Sequence, residues 1–265
     1  MARFSHYHHL FLLFLVLAVT AGPIWGQEGN TDDSVHYVKF EVQLDADTTD
    51  SFTVQVNNKW APLGAARFLE LVDLPFFAQV RFFRVLTGFV AQFGISGDPA
   101  VSAVWRDKTI ADEPVIASNV RGSLTFAKGG PNSRTTQIFV NLEDNVRLDD
   151  MGFSPFAQVV SERDMKVVEK LYAGYGEGAP SGNGPDQSRI QFEGNAYLES
   201  DFPLLSYILS AKRVEKPADV SSEKETVQQL SSGSAPSGKS WNTGRNIREL
   251  TTMFAAGAIP ALFFL

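Results

Sequence analysis

The sequence predicts a mainly β fold, an antiparallel barrel that carries two helices. Three observations predict it. Many short segments alternate apolar and polar residues with the period of two that sends successive side chains to opposite faces of a strand. Only two segments carry apolar residues at helical spacing. The chain also holds 21 phenylalanines against 6 tyrosines, which suits rings packed in an interior.

The elements follow in chain order. Residues 38–44 (VKFEVQL) and 52–56 (FTVQV) alternate, and 45–50 (DADTTD) is the turn between them. A helix starts at Pro62, where a missing N–H costs nothing, and Ala65, Phe68, Leu69 and Val72 share one of its faces. Further strands are expected at 80–86, 89–93, 122–127, 137–140 and 156–160, with a second helix at 165–172 (MKVVEKLY). Residues 175–195, rich in Gly, Pro and Asn, read as a long ordered surface loop, and 207–214 as the last strand. The GAPSGNG stretch within that loop lacks the Gly-Lys-Ser/Thr ending of a phosphate-cradling loop. One continuous domain, 36–215, contains all of this.

The two ends differ in kind. Residues 1–21 read as a secretory signal peptide, with Arg3 near the start, an apolar run at 10–18 (LFLLFLVLA) and small residues at 19–21. Cleavage after Gly26, a buried helix and an uncleaved anchor are the alternatives, and 22–35 is a linker. Residues 216–249 read as a polar flexible linker, followed by an apolar tail, 250–265 (LTTMFAAGAIPALFFL). That tail is shorter than the roughly 20 residues of a membrane helix and contains Pro260. A GPI-attachment signal with its site near 234–238, a short membrane anchor, and a tail folded onto the domain all fit. The expected location is the secretory pathway, the exterior or the cell surface.

Composition removes many chemistries. A net charge of −7 argues against a nucleic-acid binder held by phosphate contacts. With no cysteine there is no disulfide, thiol nucleophile or thiolate-bound zinc. Of the histidines, His6, His8 and His9 lie within the expected signal peptide, so only His36 would remain for a triad or a metal site. No cofactor or metal is expected. The adjacent carboxylates Asp112-Glu113 and Asp149-Asp150 read as solvated loop residues.

Three blocks carry a family resemblance. Residues 82–94 (FFRVLTGFVAQFG) show Phe-x-Arg-x-x-x-Gly-Phe-x-x-Gln-x-Gly. Residues 121–127 (RGSLTFA) lead into Gly130-Pro131-Asn132-Ser133 and then 136–140 (TQIFV). Leu148-Asp149, Phe153 and Pro155-Phe156 follow. In this order the blocks resemble cyclophilin-type peptidyl-prolyl cis/trans isomerases over nearly all of 36–215, and the GYGE…GNAYL stretch is similar to bacterial-type members. The resemblance implies a closed eight-stranded antiparallel β-barrel capped by two α-helices. It implies Arg84 as the donor to the prolyl nitrogen or the neighbouring carbonyl. Gln92 would bond the substrate backbone and orient Arg84. Phe89, Phe139 and Leu148 would seat the proline ring, Ala127 and Gln137 would line the adjoining groove, and Lys128 would stand at its edge.

This chemistry needs neither imidazole nor thiol. Rotation about an Xaa-Pro bond faces a barrier of about 18–20 kcal/mol because the nitrogen lone pair is delocalised into the carbonyl. No bond breaks. A fixed donor, an apolar seat and an anchored carbonyl suffice, and arginine stays charged with its donors in a rigid fork. Taken alone, Arg84 would read as a surface salt-bridge residue, and Phe89 and Phe139 as core; the surrounding motif gives them their meaning.

The departures from the family lie on the outer wall. Arg147 stands where many members carry a tryptophan tied to cyclosporin binding, and Phe153 where many carry a histidine. Lys128 replaces a common asparagine, Val90 a common methionine and Thr87 a common proline. Isomerase activity on proline-containing polypeptides is expected, with cyclosporin binding weakened and the chain acting as a monomer. The alternatives are a cyclophilin-like module that holds proline segments without turnover, and a tethered surface adhesion protein.

Overall fold

A computed structural model describes residues 34–218. The expected signal peptide, most of both linkers and the apolar tail lie outside the described residues. Among the described residues no helix is long and apolar enough to cross a membrane.

Eight strands make one sheet: β1 (Val35–Gln43), β2 (Thr49–Asn57), β3 (Arg84–Leu86), β4 (Val90–Phe93), β5 (Ser123–Phe126), β6 (Ile138–Asn141), β7 (Pro155–Val159) and β8 (Tyr207–Val214). Their order is β3-β4-β6-β5-β7-β2-β1-β8, and every pairing is antiparallel. The acidic turn sets the first register. Asp45 accepts the main-chain N–H groups of Asp47 and Thr48, which brings Phe40 opposite Phe52 with their rings stacked 4.9 Å apart.

The strand expected over 80–86 is divided. Only its last three residues, as β3, pair with β4. Arg81 forms an isolated bridge with Tyr207, flanked by main-chain bonds from Gln79 N–H to the Ile208 carbonyl (2.8 Å) and from Phe82 N–H to the Ser206 carbonyl (3.0 Å). The expected closed barrel is thus, among the described residues, an eight-stranded sheet with no ladder between β3 and β8, and the isolated bridge ties β8 to the segment before β3.

Helix α1 (Pro62–Asp73) starts where expected, but Ala61 supplies no cap. The Glu113 carboxylate does so from outside, accepting from Leu63 N–H (2.6 Å) and Gly64 N–H (3.0 Å) while pairing with the buried Arg134 at 2.9 Å. Glu113 is thus a capping residue and not a solvated one. The second expected helix sits earlier. As α4 it runs Glu162–Val168, because the Ser161 hydroxyl accepts the Asp164 N–H and fixes the start. Four further helices were not expected: α2 (Pro99–Trp105), α3 (Arg147–Asp150), α5 (Gln187–Glu193) and α6 (Asn195–Asp201). Two of them begin at capping aspartates, Asp98 and Asp186. With two turns or fewer, none shows a helical period in the sequence. The 175–195 segment is accordingly part loop and part helix.

The interior is aromatic. Phe40, Phe52, Phe68, Phe77, Phe93 and Phe156 are buried in one cluster, with ring centroids 4.9–6.1 Å apart. This is the packing anticipated from the phenylalanine content.

Candidate active site

Strand parity separates the core from the site. On β4, Ala91 and Phe93 join the main core, while Val90 and Gln92 take the other face. On β6, Ile138 and Val140 point inward, and Phe139 and Asn141 outward. Val85 of β3 is a core residue, and its neighbour Arg84 faces outward. β4, β5 and β6 are buried on both faces, so this outer surface is itself covered.

Arg84 is 4% exposed, and its guanidinium is engaged on two sides. The β3–β4 register sets it opposite Gln92, whose Oε1 accepts from Arg84 Nη1 at 3.0 Å. The Glu177 carboxylate takes the adjacent edge, accepting from Nε (2.7 Å) and Nη2 (2.8 Å). Three of the five guanidinium N–H groups are so occupied, which leaves one on Nη1 and one on Nη2. Gln92 passes its own Nε2–H to Gln137 Oε1 at 2.9 Å, a chain that leads from the arginine across β4 toward β6. Burial alone would push the Glu177 carboxyl up, but the Arg84 hydrogen bonds and charge, with the Gly178 N–H, hold it below its ordinary value.

Beside this lies a second apolar cluster, distinct from the core: Val90, Ala127, Phe139, Leu148 and Phe153, with the half-buried Phe89 packed on it. Phe153 meets Phe139 edge-on at 5.9 Å. Phe139, Leu148 and Val90 are each 0% exposed, so they form the floor of the seat and Phe89 its accessible part. Two cations flank Phe89, with Arg147 Cζ 4.8 Å and Arg84 Cζ 5.7 Å from its ring centroid. Lys128 stands 5.5 Å from the Phe153 ring and 3.3 Å from Asp112. All the residues expected at the site therefore come together, but the seat is more deeply covered than the resemblance implies. Phe153 packs against Phe139, and Arg147 lies over the Phe89 ring.

A buried polar network supports the seat. Asn119 donates to Asp149 (2.7 Å) and to the Phe153 carbonyl (2.8 Å), and its own oxygen accepts from Thr125 (2.8 Å) and Asn141 (3.2 Å). Asn145 donates to the Phe89 carbonyl and to Asn141, both at 2.9 Å. The backbone of Phe89, Phe153 and the helix that carries Leu148 is thus tied to one cluster of asparagines. Asp149, read as solvated, belongs to it: burial would raise its pKa, but hydrogen bonds from Ser118 and Asn119 hold it below the ordinary value.

Sequence reasoning missed Glu177 and the asparagines. One signal pointed to Glu177: it is the only charged residue in 171–185, and a buried arginine needs a counter-charge. No signal marked the asparagines, which singly read as turn formers. Among the described residues no group of three or more His, Cys, Asp or Glu could hold a metal.

Comparisons with known proteins point to one family. Residues 39–191 fit the family model described as cyclophilin type peptidyl-prolyl cis-trans isomerase/CLD. The chain is 32% identical over 123 residues to peptidyl-prolyl cis-trans isomerase A of Dickeya dadantii, covering 44% of this chain and 63% of that protein's length. It is 32% identical over 120 residues to peptidyl-prolyl cis-trans isomerase B of Escherichia coli, covering 42% of this chain and 71% of that one. A Cryptosporidium parvum cyclophilin type peptidyl-prolyl cis-trans isomerase of known structure aligns with a TM-score of 0.49 at 15% identity, over 69% of this chain and 99% of the other. With its family match spanning the arginine strand, the aromatic seat and the Glu177 segment, this chain belongs to the cyclophilin-type peptidyl-prolyl cis-trans isomerase family.

Proposed function

We propose that the chain catalyses cis/trans isomerisation of Xaa-Pro bonds in polypeptides. The observation that carries this reading is the state of Arg84: buried, fixed by Gln92 and Glu177, and left with two N–H groups beside an isolated aromatic seat. Such a donor favours the twisted amide over either planar form. As the C–N bond turns, the nitrogen becomes pyramidal and regains its lone pair, so it accepts from an N–H that gains less from the planar ground state. The donor is already oriented, so little reorganisation is needed at the moment of rotation. Gln92 and Gln137 bond the peptide backbone, and Phe89 with the floor beneath it holds the ring. Lys128 and Arg147 line the outer groove and set which flanking residues are accepted. Proton transfer plays no part.

Exchange spectroscopy on an Xaa-Pro peptide tests this with the full chain and its Arg84→Ala variant. Wild type should accelerate exchange and the variant should not. Equal rates for the two would remove Arg84 from the mechanism. The complete cover over Phe139 favours a second reading, a module that binds proline segments without turnover. Saturable peptide binding with no acceleration of exchange would select it.

The apolar run at 10–18 and the tail at 250–265 support passage through the secretory pathway, with a membrane tether at the C-terminus. Mass spectrometry of the mature protein tests both. An N-terminus at Met1 would remove the cleaved signal, and a retained tail would remove GPI attachment.

A further inference from the structure

We propose that Glu177 is the positioning residue of the site, setting the plane of the Arg84 guanidinium so that its two remaining N–H groups face the bound proline. The inference rests on the isomerase reading above. Gln92 alone holds one N–H of Arg84, and a fork held at one point still turns about that contact. The bidentate grip on Nε and Nη2 removes this freedom.

The surrounding segment is built to hold the carboxylate still. Gly178 N–H donates to Glu177 Oε1 at 2.9 Å, and Gly184 N–H donates to the Glu177 carbonyl at 2.8 Å. A Cβ on Gly182 would lie 2.3 Å from the Glu177 carbonyl oxygen and 2.8 Å from its Cβ. One on Gly184 would lie 2.8 Å from the same oxygen. These glycines let the backbone fold tightly around Glu177, a feature that a simple surface counter-ion would not need. The far end of the segment is anchored where Asp186 N–H donates to the Tyr197 hydroxyl.

The test uses the full chain and three variants: Glu177→Ala, Glu177→Gln and Gly182→Ala. Peptide exchange at several concentrations separates kcat from KM, and the Arg84 Nε–H resonance reads whether the guanidinium is held. Glu177→Ala should lower kcat about tenfold with KM within about twofold, and the Nε–H signal should broaden or vanish. Glu177→Gln keeps one acceptor oxygen and should recover part of the loss. Gly182→Ala retains the carboxylate but displaces it, and should shift kcat and the Nε–H signal in the same direction. The denaturation midpoint of each variant separates these effects from unfolding, and the glutamine variant guards against failure of the alanine one to fold. A Glu177→Ala enzyme with wild-type kcat and an unchanged Nε–H signal overturns the inference, as does one that turns over faster, since the carboxylate would then obstruct. An inactive wild type overturns the isomerase reading itself, and the inference falls with it.

Discussion

The two faces of the sheet around β3, β4, β5 and β6 are equally hidden from solvent and opposite in chemistry. The inner face carries Val85, Ala91, Phe93, Leu124, Phe126, Ile138 and Val140, and feeds the phenylalanine core. The outer face carries Arg84, Gln92, Ser123, Thr125, Phe139 and Asn141, all buried. Burial therefore does not tell a site from a core. The inner face is stabilised by filled volume and so is sensitive to lost atoms. The outer face is held by hydrogen bonds, because a polar group that loses its partner there costs about 1–3 kcal/mol. One face answers to volume and the other to partners.

The largest expected effect probes the inner face. Phe93→Ala removes a fully buried ring that touches Phe40, Phe77 and Phe82, and should cost about 3–5 kcal/mol in chemical denaturation. Turnover per folded molecule should stay near wild type. Arg84→Ala should do the reverse. Loss of a preorganised donor lowers kcat/KM about a hundredfold or more. Stability should change less, since the Glu177 side chain is 37% exposed and can turn to water. Equal losses of specific activity in the two variants would mean that the faces are not functionally separate.

Asn119→Ala sharpens the comparison from within the outer face. It leaves the Phe153 carbonyl, Asp149, Thr125 and Asn141 each short of a partner. We expect a stability loss of about 1–3 kcal/mol, with KM raised because the seat loosens. A loss of stability with unchanged KM would detach the network from the seat.

What was legible in the sequence follows the same division. Arg84, Gln92, Phe139 and Leu148 lie in compact sequence blocks, so the resemblance could single them out. The alternating strands were equally plain, because their inner residues are apolar without exception. Glu177 reaches Arg84 across 93 residues from a stretch that has no period. The asparagine cluster exists only once three separate segments align. The short helices carry too few turns to show a face, and the start of α4 depended on one serine hydroxyl. What the sequence hid is contact between distant polar groups.

Acid should weaken the outer face. Glu177 and Asp149 both sit below their ordinary carboxylate values in the folded chain, so the stability they add is present above the unfolded values and is lost as pH falls through the folded ones. The loss therefore begins below the ordinary Glu value of 4.5 and should be smaller than that from Asn119→Ala. Glu177→Gln should flatten this acid limb of the stability curve. An unchanged limb in that variant would show that the Arg84 pair adds nothing to acid stability.

The smallest effect belongs to the outermost residue. Arg147 is exposed and lies against Phe89 at 4.8 Å, while Lys128 is paired with Asp112 and Arg84 with Glu177. An exposed cation–π contact contributes about 0.5–1 kcal/mol, so Arg147→Ala should move KM by about two- to fivefold and leave kcat alone. It should also uncover more of the Phe89 ring, which lets larger flanking residues in and widens the range of peptides accepted. Peptide series with acidic, neutral and bulky residues before proline would read both changes. If Arg147→Ala instead matched Arg84→Ala in kcat, the working donor would be the exposed arginine at the lip. The buried Arg84–Glu177–Gln92 assembly would then be a structural brace that happens to lie beneath it.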